Sequence, residues 1–308
     1  MLVGRHSSVV QSSNRISRCL YELAARSQVS HSSWSSPTTS SSLTISRAAS
    51  GSSTRWLTRQ GRDPYTRASK LNALKSRAAF KLLEIDEKHH IFKPGQTVVD
   101  LGYAPGSWSQ VAVSRVRPGG KGRGRVVGID VIPAQPPKGV STIQGDFLSP
   151  SIRQLVLEFV RDANAGRAIA HQSFARSGGN EDEVDEEPIT EKTSDQEGDD
   201  QKQGRVVDVV LSDMMMNTSG NAFKDHAGSM DLCLAALSFS YDTLVSGGHF
   251  VCKYYQGGEE KDFETRLKTL FEKVHRIKPD SSRKESREAY FLGLRRKADT
   301  SKEIVFPP

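Results

Sequence analysis

From residue 76 onward, the apolar positions alternate between helix-spaced sets and short continuous runs. Ala79, Phe80, Leu82, Leu83 and Ile85 recur at helical spacing and predict a helix over 76–88. Thr97-Val98-Val99-Asp100-Leu101 is a short, mostly apolar run closed by glycine, the pattern of a buried parallel strand. A helix over 107–116 follows, then strands over 125–129 and 141–144 and a helix over 151–161. After a polar interval, 206–211 reads as a strongly apolar strand, 231–244 as a helix, 249–253 as a strand and 261–274 as a helix. Short strands near 275–278 and 289–294 close the series. Strands alternating with helices predict an open α/β sheet with right-handed crossovers. No internal repeat is visible.

Composition marks two stretches that do not share this pattern. The chain has 308 residues and only 36 % hydrophobic residues, low for a chain packed throughout. Residues 1–60 hold seven arginines, no lysine and one acid, Glu22, among many serines and threonines. An Arg-rich, Ser-rich, acid-poor start predicts a mitochondrial transit segment, with a short amphipathic helix over 14–26. Residues 180–202 are the reverse, with eleven acids against Lys192 and Lys202. They predict a disordered acidic insertion, extended by polar flanks to 162–204. The net charge of +7 therefore becomes +16 once this segment's −9 is set apart. So basic a remainder points to an anionic partner, nucleic acid first. No run approaches the roughly 18 apolar residues of a membrane span. Cys19, Cys233 and Cys252 form no CxxC pair, which argues against a disulfide scaffold or zinc ribbon. No metal site is expected.

Asp100-Leu101-Gly102-Tyr103-Ala104-Pro105-Gly106-Ser107-Trp108 joins the first strand to its helix. Glycines there let a backbone approach a ligand at the carboxyl ends of the strands. The next strand ends in Asp130, placed to accept ribose hydroxyls. The one after ends in Gly145-Asp146-Phe147, placed to hold an adenine. The turn has neither a full GxGxxG nor a GxxxxGK[ST], so NAD recedes and a P-loop is excluded. Nucleotides and S-adenosylmethionine remain, with the two successive acids favouring the latter.

The block Ser76-Arg77-Ala78-Ala79-Phe80-Lys81-Leu82-Leu83-Glu84-Ile85 resembles the opening of the RrmJ/FtsJ RNA 2′-O-ribose methyltransferases. Further blocks match in order: Val99-Asp100-Leu101-Gly102 with Ala104-Pro105-Gly106 and Trp108-Ser109-Gln110, then Gly145-Asp146-Phe147 and Leu211-Ser212-Asp213-Met214. The last match is Lys278-Pro279-Asp280-Ser281-Ser282-Arg283 running into Ser286-Arg287-Glu288. The resemblance covers about 70–296 apart from the insertion. It implies a Rossmann-like S-adenosylmethionine-dependent methyltransferase fold: a mostly parallel seven-stranded sheet with helices on both faces, within a domain over 65–298 and a tail over 299–308.

The same resemblance implies a catalytic tetrad of Lys81, Asp213, Lys253 and Glu288, with Lys253 orienting or deprotonating a ribose 2′-hydroxyl. It implies an S-adenosylmethionine set of Asp100, Gly102, Pro105, Gly106, Trp108, Asp130, Asp146, Phe147 and Asp213; Trp108 reads equally as helix-packing core. Lys70, Lys75 and Arg77 form one basic cluster for RNA, and Lys278, Arg283, Lys284 and Arg287 another. The chain departs from the family pattern at Met214-Met215-Met216, which lacks the proline usual after the aspartate, and at Tyr103, where a small residue is usual. Both resemble the mitochondrial branch acting on large-subunit rRNA, in keeping with the N-terminal composition. The expected activity is 2′-O-methylation of a nucleotide, uridine first, in mitochondrial large-subunit rRNA or a precursor ribosomal particle in the matrix. A tRNA methyltransferase, or an RNA-binding ribosome-assembly factor, is the alternative.

Overall fold

The computed structural model describes residues 61, 63–120, 122–162, 165–166, 200 and 203–307. These divide into two compact units, one ending at Phe80 and one beginning at Lys81.

In the first unit, α1 (Pro64–Leu71) starts at Asp63, whose carboxylate accepts the N–H groups of Tyr65 and Thr66. Proline at the first helical position has no N–H to leave unsatisfied. Arg77 pairs with Asp63 and lies over the Tyr65 ring. The next helix, α2 (Ala78–His89), carries the chain into the second unit.

That unit is built on seven strands: β1 (Thr97–Leu101), β2 (Arg125–Asp130), β3 (Val140–Gln144), β4 (Val207–Ser212), β5 (Leu244–Tyr255), β6 (Phe271–Ile277) and β7 (Glu288–Arg296). Their order is β3-β2-β1-β4-β5-β7-β6. The first five run parallel, and β7 is antiparallel to both its neighbours. The helices are α3 (Ser107–Val116), α4 (Pro150–Arg161), α5 (Ala222–Thr243), α6 (Glu260–Leu270) and α7 (Lys302–Val305). The seven-stranded, mostly parallel α/β sheet is the expected fold. Its strand order reverses between β1 and β4, and such a switch point opens a crevice at the carboxyl ends. Val99, Leu101, Val127 and Ile129 bury into one core with Val156 and Val160 of α4 and Leu237 and Phe239 of α5.

Several boundaries differ from expectation. Helix α6 stops at Leu270 instead of 274, because Phe271 turns into a strand and stacks on Phe250 at 6.0 Å. The absence of a side chain at Gly293 makes room for that ring: a Cβ there would lie 2.6 Å from it. Helix α5 begins at Ala222, well before 231, because Asn221 caps the N–H groups of Phe223 and Lys224 at 3.0 and 3.2 Å. Polar first turns hide such a start from a hydrophobic pattern. Residues 299–308, expected as a tail, include α7, where Val305 is fully buried and its carbonyl accepts from Arg266 at 3.0 Å.

A few residues of the span expected as an insertion are among those described. Buried Arg125 donates to the carbonyls of Val160, Asp162 (2.7 Å) and Ala165 (3.0 Å). Arg161 donates to the Gly204 carbonyl at 3.2 Å, so the insertion leaves and rejoins at one place. Asp200 is buried and accepts the Ser246 N–H at 2.8 Å and hydroxyl at 3.1 Å. Residues 162, 165–166, 200 and 203–204 therefore belong to the packed domain. Residues 180–199, the N-terminal 1–60 and the helix expected over 14–26 lie outside the described residues. Cys233 and Cys252 are buried, with sulfurs 3.4 Å apart, and burial pushes the Cys233 thiol up, away from reactivity.

Candidate active site

The register of β5 and β7 assembles the site. Lys253 pairs with Tyr290 and Tyr255 with Glu288. Opposed residues, and those two apart on one strand, share a face, so all four side chains emerge on one side of the sheet. Asp213 follows β4, the strand beside β5, and its N–H donates to the Leu101 carbonyl at 3.0 Å. Lys81 reaches the same place from α2.

Two ammonium–carboxylate pairs result. The Lys253 Nζ lies 3.1 Å from Asp213 Oδ1 and donates to the Asp213 carbonyl at 2.7 Å. The Lys81 Nζ lies 2.7 Å from Glu288 Oε1. Tyr290 stands between the pairs: its hydroxyl donates to Asp213 Oδ1 at 3.4 Å, and Lys81 sits 5.8 Å from its ring centre. Burial, then the charges of Asp213 and Glu288, push the Tyr290 phenol well up, so it stays a donor. Burial works against the Glu288 charge, but the Lys81 ammonium, together with the Ser282 bond and Lys253, holds the carboxyl below its usual range. Tyr290 was not anticipated. The signal was its position two residues after Glu288 in a strand.

The glycine turn is shaped chiefly by the protein itself. At Gly102, with φ of 76°, a Cβ would lie 2.8 Å from the Met214 backbone. At Gly106, the N-cap of α3 with φ of 105°, it would meet the Pro137 ring at 2.8 Å. The Ala104–Pro105 bond is cis. Tyr103 is buried over Gly128 and donates to the Ala134 carbonyl at 2.8 Å, so it closes the turn onto β2. Of the three methionines after Asp213, Met214 packs against the core and Met215 is exposed.

The acids expected to hold a ligand stand around this turn. Asp100 is completely buried; Ser109 donates to its Oδ2 at 2.5 Å, and its Oδ1 has no hydrogen-bond partner among the described residues. Burial pushes its carboxyl up to about 7 against the Ser109 bond, with Asp213 and Asp130 adding to the rise. Asp130 accepts the N–H of Ala104 at 3.0 Å and of Ile132 at 2.9 Å, bracing the turn and keeping lone pairs to spare. Asp146 is exposed and accepts the Leu148 N–H at 2.9 Å. Val131 and Ile132, which follow Asp130, and Leu148, two residues after Asp146, are exposed apolar side chains. One expectation needs correction. Phe147 turns its ring into the core, edge-on to Phe239 at 5.4 Å, and does not offer it to a ligand. Trp108 is buried with its ring 5.5 Å from Tyr290, the packing that was one of its two expected roles.

Of the basic residues, Lys278, Lys284 and Arg287 are exposed on the loop leading to Glu288. Lys278 spends part of its charge on the Ser286 carbonyl at 2.8 Å, and Arg287 on that of Gln256 at 3.0 Å. Arg283 is half-buried there. Lys70 and Lys75 are exposed in the first unit, where Arg77 is committed to Asp63.

A family model for FtsJ-like methyltransferases matches residues 74–296. The chain belongs to the FtsJ-like methyltransferase family. It is 38 % identical to "rRNA methyltransferase 2, mitochondrial" of Saccharomyces cerevisiae, over 84 % of this chain and 92 % of that one. It is 39 % identical to the protein of the same name in Schizosaccharomyces pombe, over 79 % and 95 %. "Ribosomal RNA large subunit methyltransferase E" of Gluconobacter oxydans is 36 % identical, over 82 % and 75 %. A crystal structure of a ribosomal RNA methyltransferase from Plasmodium falciparum aligns with a TM-score of 0.51 at 26 % identity, covering 73 % of this chain and all of that one. The FtsJ-like match spans every element from α2 to β7, including the four residues of the two ion pairs.

Proposed function

We propose that this FtsJ-like chain transfers a methyl group from S-adenosylmethionine to a ribose 2′-hydroxyl, that of a uridine in mitochondrial large-subunit rRNA, and works in the mitochondrial matrix. The observation that carries this reading is the pair of ammonium–carboxylate contacts, Lys253–Asp213 and Lys81–Glu288, on one face beside the glycine turn. The relatives' names supply the rRNA and mitochondrial parts.

The residues suit that cofactor. The unsatisfied Oδ1 of Asp100 is an acceptor for a cationic N–H. The exposed apolar side chains of Val131, Ile132 and Leu148 suit an adenine, with Asp130 at the ribose and Asp146 at the exocyclic amine. When bound, S-adenosylmethionine supplies the electrophilic methyl and a positive charge that vanishes on transfer. The chain's task is then to hold the acceptor oxygen in line and remove its proton. Two of Lys253's three Nζ directions go to Asp213, leaving the third to orient the 2′-oxygen or, as the free amine, to take its proton as the methyl transfers. Lys81 and Glu288 position the ribose from the other side.

The test is methyl transfer from labelled S-adenosylmethionine to mitochondrial large-subunit rRNA and to precursor particles, with the full chain and Lys253→Ala. One site resistant to alkaline cleavage, lost in Lys253→Ala, is the expected result. Cofactor binding without transfer to either substrate would overturn the rRNA reading.

A further inference from the structure

A cavity of about 240 Å³ opens beside the reacting face, lined by Gly220, Ala222, Asp225, Tyr255, Ser286 and Arg287. It is smaller than the roughly 300 Å³ at which pockets for drug-sized ligands begin, so it suits a single ring system. Tyr255 lies two residues beyond Lys253 on the same face of β5, about 7 Å along the strand. That is the reach from a ribose to its own base or to an adjacent one.

The walls are held firmly. The Tyr255 N–H donates to Ser229 Oγ at 2.9 Å, and its carbonyl accepts from His226 Nδ1 at 2.7 Å. The other His226 nitrogen accepts the Glu259 N–H at 3.0 Å, so both ring nitrogens are used and the ring is neutral. Asp225 is buried, and its Oδ1 takes both the N–H and the hydroxyl of Ser219, at 2.7 and 2.8 Å. Those bonds hold its carboxyl below the usual range, so Asp225 is an acceptor only. Arg287 and Ser286 add donor groups to the lining. Met215 is 59 % exposed, and its sulfur accepts the hydroxyl of the lining Tyr255 at 3.5 Å.

We infer that this cavity takes one splayed-out base of the substrate RNA, with Asp225 selecting a base that presents a ring N–H. Uracil and guanine do so; cytosine and adenine present a ring nitrogen acceptor there, which faces the carboxylate lone pairs unpaired. Enzymes that act on unstacked nucleotides read the extruded base by such edge bonds and by aromatic contact. This deepens the proposed function and rests on it.

The experiment uses the full chain and a large-subunit rRNA fragment containing the acceptor. Each base in turn, the acceptor's own and its two neighbours', is replaced by cytosine or left abasic. Wild type is expected to lose about tenfold or more in kcat/KM with cytosine at one position, and that position identifies which base enters. Asp225→Asn, whose amide donates, should recover the cytosine RNA and lose the original one, with S-adenosylmethionine affinity unchanged. Should Asp225→Asn fold poorly, Ala222→Trp, at an exposed position, fills the cavity and should raise KM for RNA several-fold at constant cofactor affinity. Unaltered base preference in Asp225→Asn, or unaltered KM in Ala222→Trp, overturns the inference. If wild type methylates none of these RNAs, the proposed function falls. The same preference and its reversal in equilibrium RNA binding then decide the cavity separately.

Discussion

Lys253 and Tyr290 face each other across the antiparallel pairing of β5 with β7, and both contact Asp213. The tyrosine thus hydrogen-bonds to the charged set and at the same time packs in the core, its ring tilted against Trp108.

Tyr290→Phe separates these roles. The ring and its packing remain while the hydroxyl on Asp213 goes. We expect kcat to fall about three- to tenfold, matching one hydrogen bond of about 1 kcal/mol, with little change in thermal midpoint. Tyr290→Ala should instead cost about 3–5 kcal/mol of stability by leaving a cavity. Steady-state kinetics and thermal unfolding distinguish them.

Lys81→Met leaves Glu288 buried without its neighbouring ammonium. In the wild type the depressed Glu288 carboxyl contributes stability above the ordinary carboxylate range, lost as pH falls through it. Without Lys81, burial raises that carboxyl. The folded state then binds its proton more readily than the unfolded one, and this contribution reverses: the variant gains stability on acidification. At neutral pH we expect it to be about 3 kcal/mol less stable. Denaturant titrations at pH 5 and pH 8 check both signs.

Asp100 titrates near 7 in the folded chain, well above its unfolded value. The folded protein therefore holds an extra proton between about pH 4 and 7, and stability falls as pH rises through that window, by up to about 1.4 kcal/mol per pH unit. A cationic cofactor favours the charged carboxylate, so affinity for S-adenosylmethionine should climb toward pH 7 and level off above it. Asp100→Asn should flatten both profiles. Calorimetric titration across pH 5.5–8.5 reads the second.

Asp200 closes the insertion onto the body through Ser246 and Arg205. Asp200→Ala leaves the Ser246 N–H without that acceptor and should cost about 1–3 kcal/mol. Removing 180–198 while keeping Asp200 should leave both stability and methyl transfer on naked rRNA nearly unchanged. Chemical denaturation and the methylation assay measure the two outcomes.

The hydrophobic pattern alone was enough for the sheet and most of its helices, because buried parallel strands are short apolar runs, β1 is closed by Gly102 and α3 is opened by Gly106. It misjudged α6 and α5 for opposite reasons. Helical spacing continued past Leu270 although Phe271 packs as a strand, and the first turns of α5 are polar and held by caps. Lys81, Asp213, Lys253 and Glu288 lie far apart in sequence, and only motif resemblance grouped them before the fold was known. Tyr290 and Asp225 escaped because each matters only through its surroundings. The same holds for Phe147, which reads as a ligand-facing ring and turns inward.

The amino-acid sequence by itself determined the layer architecture, the basic character and the positions where the chain must bend, since these depend on local propensity, charge and the pattern of burial. The tertiary structure alone decided which lysine pairs with which carboxylate, that Asp100 is stripped of water, and that Asp200 is held by Ser246. Those are properties of register, distance and desolvation, and they exist only once β4, β5 and β7 lie side by side.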